Sequence, residues 1–194
     1  MGLISKKPKI EKRREAVFII DWQNFFADPD SPGYLPSTRT ILPGIANLLE
    51  ELSRQNVQII ATRHYNPVSA EDPFFRFYGR VIEKESKLFE LAYPLTIHRN
   101  ISVLDKTTYS VFKIPGLVQQ LKNSGVTRAV LCGLQTDKCV LASAYDGFDS
   151  GFDLVVIEDA CCARKKNFHL RSLDIMKRSS AKIMTVDRFI RSLK

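Results

Sequence analysis

The chain has 194 residues, 44% of them hydrophobic and 10% aromatic, which is ordinary globular composition and excludes an extended or disordered polymer. No apolar run approaches the roughly 18 to 20 residues that span a bilayer. Lys6, Lys7, Lys9, Lys12, Arg13 and Arg14 are not followed by a secretory apolar stretch, and Lys6 occupies the place where a myristoylation signal needs Ser or Thr. A soluble, cytoplasmic protein is expected.

The net charge of +8 is unevenly distributed: +4 in residues 1–15, +8 in residues 161–194 and −4 in the body between them. Basic ends without interleaved aromatics read as solvated tails and helix faces, so nucleic acid is not an expected partner. Cys132, Cys139, Cys161 and Cys162 form no CxxC pair, and neither a disulfide framework nor a zinc cluster is indicated.

In chain order, residues 1–15 read as a basic extension and residues 16–194 as a single domain. Ala16–Asp21 is a short apolar strand ending in an acid. Leu42–Arg54 carries apolar residues at helical spacing, with Pro43 placed in its first turn. Val57–Ala61 is the second strand. The aromatic stretch from His64 to Tyr93 is read as a loop with a helix near Val81–Phe89. Thr96–His98 and Ser102–Lys106 are extended, Pro115–Lys122 is helical, and Val126–Cys132 is a strand. A helix follows from about Asp137 to Phe148. Then come a strand at Leu154–Ile157, a helix at Phe168–Lys177, a strand at Ile183–Val186 and a helix at Arg188–Leu193. Strands alternating with helices predict an α/β domain of three layers, a doubly wound, mainly parallel sheet with helices on both faces. Sites in that architecture gather at the carboxyl ends of strands.

Asp21, Lys106 and Cys139 all fall at or just beyond such ends. A thiolate is the nucleophilic form of cysteine, and a helix N-terminus or a neighbouring cation lowers the thiol pKa. A carboxylate within reach can take the thiol proton and return it to a leaving amine. The trio therefore has the parts for nucleophilic catalysis without histidine, although each residue alone is as readily a cap, a surface charge or a small buried hydrophobe.

Three segments resemble a known family. Asp21-Trp22-Gln23-Asn24-Phe25-Phe26 resembles the D-x-Q-N-x-F opening of the isochorismatase-like cysteine hydrolases, which include nicotinamidases and N-carbamoylsarcosine amidases. Lys106-Thr107-Thr108-Tyr109-Ser110-Val111-Phe112 is similar to their K-x-x-aromatic-S-x-F segment, and Gly133-Leu134-Gln135-Thr136-Asp137-Lys138-Cys139-Val140 to their G-x-x-T-D-x-C-V signature. Glu158-Asp159-Ala160 matches the D-A pair after the following strand. The resemblance implies that Asp21 transfers protons, Lys106 is its cationic partner and Cys139 is the nucleophile. It also implies a cis peptide between Leu134 and Gln135, with the backbone N–H groups of Gln135 and Cys139 as the oxyanion hole. The implied activity is hydrolysis of a C–N bond in a small amide, ureido or carbamoyl compound through a thioester, by a homo-oligomer, dimer or tetramer, without a cofactor.

One departure from the pattern bears on metal. Nicotinamidases carry an Asp-x-His metal pair after the second strand, where this chain has His64-Tyr65-Asn66, so no metal site is expected and His64 is read as a structural or substrate-contacting residue. Trp22, Phe26, His64 and Tyr109 are the expected substrate contacts, with Arg63 available to an anionic group, and His169 is expected to pack or hydrogen-bond in its helix. Two alternatives stay open: a nicotinamidase with a degenerate metal site, and a non-catalytic binding or regulatory protein using its basic ends.

Overall fold

The computed structural model describes residues 14–55, 57–79 and 82–193. The expected basic extension therefore lies almost wholly outside the described residues, and so does Val81, where a helix was expected to begin. Among the described residues six strands form one sheet in the order β3-β2-β1-β4-β5-β6. They are β1 (Glu15–Ile20), β2 (Gln58–His64), β3 (Ile101–Lys106), β4 (Arg128–Leu134), β5 (Asp153–Cys162) and β6 (Ala181–Met184). Every pairing is parallel. The helices are α1 (Asn24–Ala27), α2 (Thr38–Ser53), α3 (Pro73–Tyr78), α4 (Leu117–Asn123), α5 (Leu141–Asp149), α6 (Lys166–Ser179) and α7 (Val186–Ser192). This is the doubly wound α/β architecture that the alternation of elements predicts.

The central strands are apolar because both faces of a parallel sheet are covered. Ala16 to Ile20 and Ala129 to Leu131 are fully buried. On α2 the core side repeats through Ile41, Ile45, Leu48, Leu49 and Leu52, a stripe about four residues apart that keeps one face on the sheet.

Several boundaries differ from expectation. α2 starts at Thr38, which puts Pro43 inside the helix rather than in its first turn. β5 runs on to Cys162, because its far end resumes pairing with β4 at Gly133 and Leu134 beyond a bulge. Leu95–Ile97 is a 3-10 turn, not an extended piece. The aromatic loop folds its helix earlier, as α3, and residues 84–90 are turns. Asp72 caps α3 by accepting from the Phe75 N–H at 2.9 Å, Pro73 opens it and Gly79 at φ 64° closes it. An acceptor, a proline and a left-handed glycine at those places are standard helix punctuation.

The sheet order reverses between β1 and β4, the switch point at which α/β sheets open a crevice. Gly133, at the end of β4, approaches β1 so closely that a Cβ there would lie 2.2 Å from the Ile20 carbonyl oxygen. Only glycine lets these two strand ends come together.

Candidate active site

Asp21 follows β1 in a left-handed conformation, φ 53°, that aspartate tolerates better than most residues. Three hydrogen bonds with Thr62 on β2 hold it there. The Asp21 N–H donates to the Thr62 carbonyl and hydroxyl, each at 3.2 Å, and the same hydroxyl donates to Asp21 Oδ1 at 2.8 Å. Gln23 ties the loop after β1 to the end of β2, donating to the His64 and Phe89 carbonyls and accepting from the His64 N–H.

Lys106 ends β3, and its ammonium donates to Asp21 Oδ2 at 2.8 Å and to the Thr108 carbonyl at 2.9 Å, with its third N–H shared between His64 Nδ1 at 3.4 Å and Cys139 Sγ at 3.6 Å. Burial alone would lower its pKa, but the negative charges offered by Asp21 and Cys139 outweigh that and raise it. Lys106 is therefore a fixed cation.

Cys139 lies in a π-helical turn, Thr136–Val140, that leads into α5. The Leu134–Gln135 peptide just before this turn is cis. Ser143 on α5 donates to the Cys139 carbonyl at 2.6 Å and accepts from the Val111 N–H, which anchors the turn. On its other side the Thr136 hydroxyl bonds His169 Nδ1 at 2.9 Å, so His169 buttresses the turn from α6.

The thiol differs from its sequence-based expectation. Burial pushes the Cys139 pKa up, Lys106 pulls it down and Asp21 pushes it up again, with a raised net result. Desolvation wins because Cys139 is only 8% exposed and its neighbouring cation is already paired with Asp21. The raised pKa keeps Cys139 a thiol at rest, beside the Lys106 ammonium.

Asp21 and Cys139 line a cavity of about 200 Å³ together with Phe25, Phe26, Phe74, Tyr78 and Ile82 as apolar walls, and His64, Asn66, Gln135, Lys138 and Arg164 as polar groups. Of the expected substrate contacts, Phe26 and His64 line this space. Trp22 does not: it is 1% exposed in the core, and its indole N–H donates to the Tyr93 carbonyl at 2.8 Å. Phe25, three residues on, takes the expected place. Tyr109 stands behind the wall, packed on the Phe74 ring and sharing a 2.6 Å hydrogen bond with the Tyr78 hydroxyl. Arg63 is turned away, paired with Asp105 at 2.9 Å and Glu90 at 3.2 Å and laid over the Phe89 ring. Arg164, which no motif singled out, is the basic group at the cavity that has no hydrogen-bond or ion-pair partner among the described residues. Asp159, of the D-A pair, accepts from the Val186 N–H and holds the start of α7.

His64 and Asn66 are hydrogen-bonded to each other. The Asn66 amide donates to the Thr107 carbonyl at 3.3 Å and to Asp72 at 3.4 Å, so its oxygen is the acceptor for His64 Nε2–H. That leaves His64 Nδ1 to accept from Lys106 at 3.4 Å. The ring is neutral: burial, then the Lys106 charge, lower its pKa to about 4. Among the described residues no three His, Cys, Asp or Glu gather as metal ligands, and this donor set does not suit a tightly held divalent cation, which in catalytic zinc sites takes three protein ligands.

No helix of the described residues is long and apolar enough to cross a membrane. The chain is similar to a probable inactive nicotinamidase of Arabidopsis thaliana, 25% identical over 190 residues that cover 93% of this chain and 97% of that one. In three dimensions it superposes on an isochorismatase-like hydrolase from Alkaliphilus metalliredigens with a TM-score of 0.86, at 22% identity and covering 93% and 100% of the two chains. The pyrazinamidase of Pyrococcus horikoshii, solved in complex with zinc, matches with a TM-score of 0.76 at 26% identity over 89% of this chain and 99% of that one. The model of the isochorismatase domain matches residues 15–188, and the chain therefore belongs to the isochorismatase family.

Proposed function

We propose that this protein is a cysteine amidohydrolase that cleaves a C–N bond in a small amide, ureido or carbamoyl compound bearing an anionic group. The observation that carries this reading is the convergence of the Asp21 carboxylate and the Cys139 sulfur on the Lys106 ammonium beside a cavity of small-molecule size. A raised thiol pKa fits a nucleophile that loses its proton only as it reacts, with Asp21 as the acceptor.

In this scheme Sγ attacks the substrate carbonyl carbon as its proton passes to Asp21, and the oxygen becomes an oxyanion that takes the backbone N–H groups of Gln135 and Cys139. Collapse breaks the C–N bond, Asp21 returns the proton to the leaving nitrogen, and ammonia or an amine departs from a thioester. Asp21 then takes a proton from water, the hydroxide adds to the thioester, and the acid product and the thiol are released. Lys106 holds the carboxylate in place throughout.

The anionic group is inferred from the cavity. The Asp21 charge is matched by Lys106 and the Lys138 charge by Asp137 at 3.3 Å, whereas Arg164 adds a positive charge that has no acceptor among the described residues. The apolar walls suit the body of such a substrate. The His64–Asn66 pairing weighs against a metal-dependent nicotinamidase.

The test is ammonia release over a set of amides and ureides, matched with and without a carboxylate and including nicotinamide, with Cys139→Ala as control. Release from the carboxylate-bearing members, abolished in the control, is expected. Binding without release in the parent chain would favour the non-catalytic alternative.

A further inference from the structure

The hydrogen bonds around His64 continue beyond it in one direction. Lys106 donates to His64 Nδ1 at 3.4 Å, His64 Nε2–H donates to Asn66 Oδ1, and the Asn66 amide donates to Asp72 Oδ2 at 3.4 Å. The other Asp72 oxygen caps α3 through the Phe75 N–H. A continuous polar chain thus runs from the buried ammonium to the first turn of a short helix.

That helix forms one side of the cavity. Phe74 and Tyr78 face the cavity, while Phe77 on the outer side is 80% exposed. None of its side chains is fully buried, so little apolar burial holds α3 against the body. Among the described residues its side-chain ties to the body are the Asp72–Asn66 bond, the Phe74 ring against His64 at 5.1 Å and against Tyr109 at 4.7 Å, and the Tyr78–Tyr109 hydroxyl bond. Gly79, left-handed, ends the helix.

We propose that Asn66 and Asp72 are positioning residues that fasten the α3 wall to Lys106 through neutral His64, and so set the size of molecule that reaches Cys139. Asn66 suits this role because its oxygen takes the imidazole N–H while its nitrogen serves Asp72 and the Thr107 carbonyl, which lies next to Lys106. Asp72 suits it because one carboxyl group serves both the helix cap and the relay. The proposal rests on Cys139 being the reacting atom at the cavity, but its test needs no turnover.

The experiment compares alkylation of Cys139 by iodoacetamide and by a bulky N-substituted maleimide, read by peptide mass, in the full chain and in Asn66→Ala and Asp72→Ser. Serine retains a helix cap but has no second oxygen for Asn66. Each variant should raise the maleimide-to-iodoacetamide rate ratio at Cys139 by roughly tenfold, the equilibrium effect of one ordinary hydrogen bond. Cys132, Cys161 and Cys162, all buried away from the cavity, should stay as protected as in the parent chain. An unchanged or lowered ratio in either variant overturns the proposal. So does a parallel rise in labelling of the other three cysteines, which signals general loosening of the fold, or a Cys139 inert to iodoacetamide in the parent. A chain that releases no ammonia from any amide would refute the amidohydrolase reading and leave these rates to judge the fastening alone.

Discussion

Lys106 Nζ and Asp21 Oδ2 lie 2.8 Å apart with both side chains only 1% exposed. A pair buried this deeply is held by geometry, since desolvation of two ions offsets most of their attraction, and removing one partner leaves the other charged and alone in the core. Stability and the proposed chemistry are therefore coupled at these two residues.

Asp21→Asn and Lys106→Met should each destabilise the fold by about 3 to 5 kcal/mol, while the double variant, which leaves no orphan charge, should recover much of the loss. Turnover should fall by roughly a hundred- to ten-thousand-fold in both single variants and stay low in the double. Denaturant midpoints and ammonia release together check this. Additive stability losses in the double variant would refute the coupling.

The protonated resting thiol gives Cys139 a distinctive labelling profile. Because burial and Asp21 raise its pKa above the ordinary 9.0, the rate of alkylation by iodoacetamide should still be climbing above pH 9. In Asp21→Asn one of the raising charges is gone while Lys106 remains, so the profile should move to lower pH even as turnover collapses. A plateau below neutral pH in the parent chain would mean a stable thiolate at rest and would sink the proton-transfer scheme.

His64 supplies a pH-dependent term in stability. Its pKa is about 4 in the fold against 6.5 in the unfolded chain, so between those values the unfolded chain binds more protons. Stability from this residue is intact above about pH 6.5 and is lost as pH falls toward 4, by on the order of 3 kcal/mol. Carboxylates titrate in the lower part of the same window, which makes the difference between the parent and His64→Gln the quantity to measure. Parallel stability curves for the two would show that His64 does not carry this term.

Much of the candidate site was legible because the proposed chemistry sits where β1, β3 and β4 end, and an apolar run ending in Asp21, an extended piece ending in Lys106 and the Gly133–Val140 segment announce those ends. The walls were harder. The left-handed turn at Asp21 reverses which of the next side chains face inward, so Trp22 goes to the core and Phe25 to the cavity. The punctuation of α3 was present as Asp72-Pro73 and Gly79, but the density of aromatics between them resembles core rather than a surface helix. Thr62, Ser143 and Arg164 carry no local signal. Their parts in the site arise from contacts across 41 residues for Thr62 with Asp21 and 32 for Ser143 with Val111, and from the cavity itself for Arg164.

Protein purified without added metal should contain well under one zinc or iron per chain, measured by elemental analysis. His64 Nε2 and Asn66 Oδ1 are bonded to each other, and the Asp72 carboxylate beside them is taken up by the Asn66 amide and the cap of α3. One metal per chain, removable with loss of activity, would move the nicotinamidase alternative to first place.

Arg164 should act on substrate capture rather than on chemistry. It lines the cavity, is exposed, and has no partner among the described residues, so a substrate anion would be its first strong acceptor. A hydrogen bond to a charged group is worth about 1.5 to 3 kcal/mol, so Arg164→Gln should raise KM for a carboxylate-bearing amide by roughly ten- to a hundredfold. Because the side chain stays clear of the Asp21–Lys106–Cys139 contacts, kcat should change little. The same substitution should leave KM for an uncharged amide of the same size unaltered, and added salt should weaken capture of the anionic substrate in the parent more than in the variant. Equal losses for charged and uncharged substrates would assign Arg164 to packing and remove the anionic group from the proposed substrate.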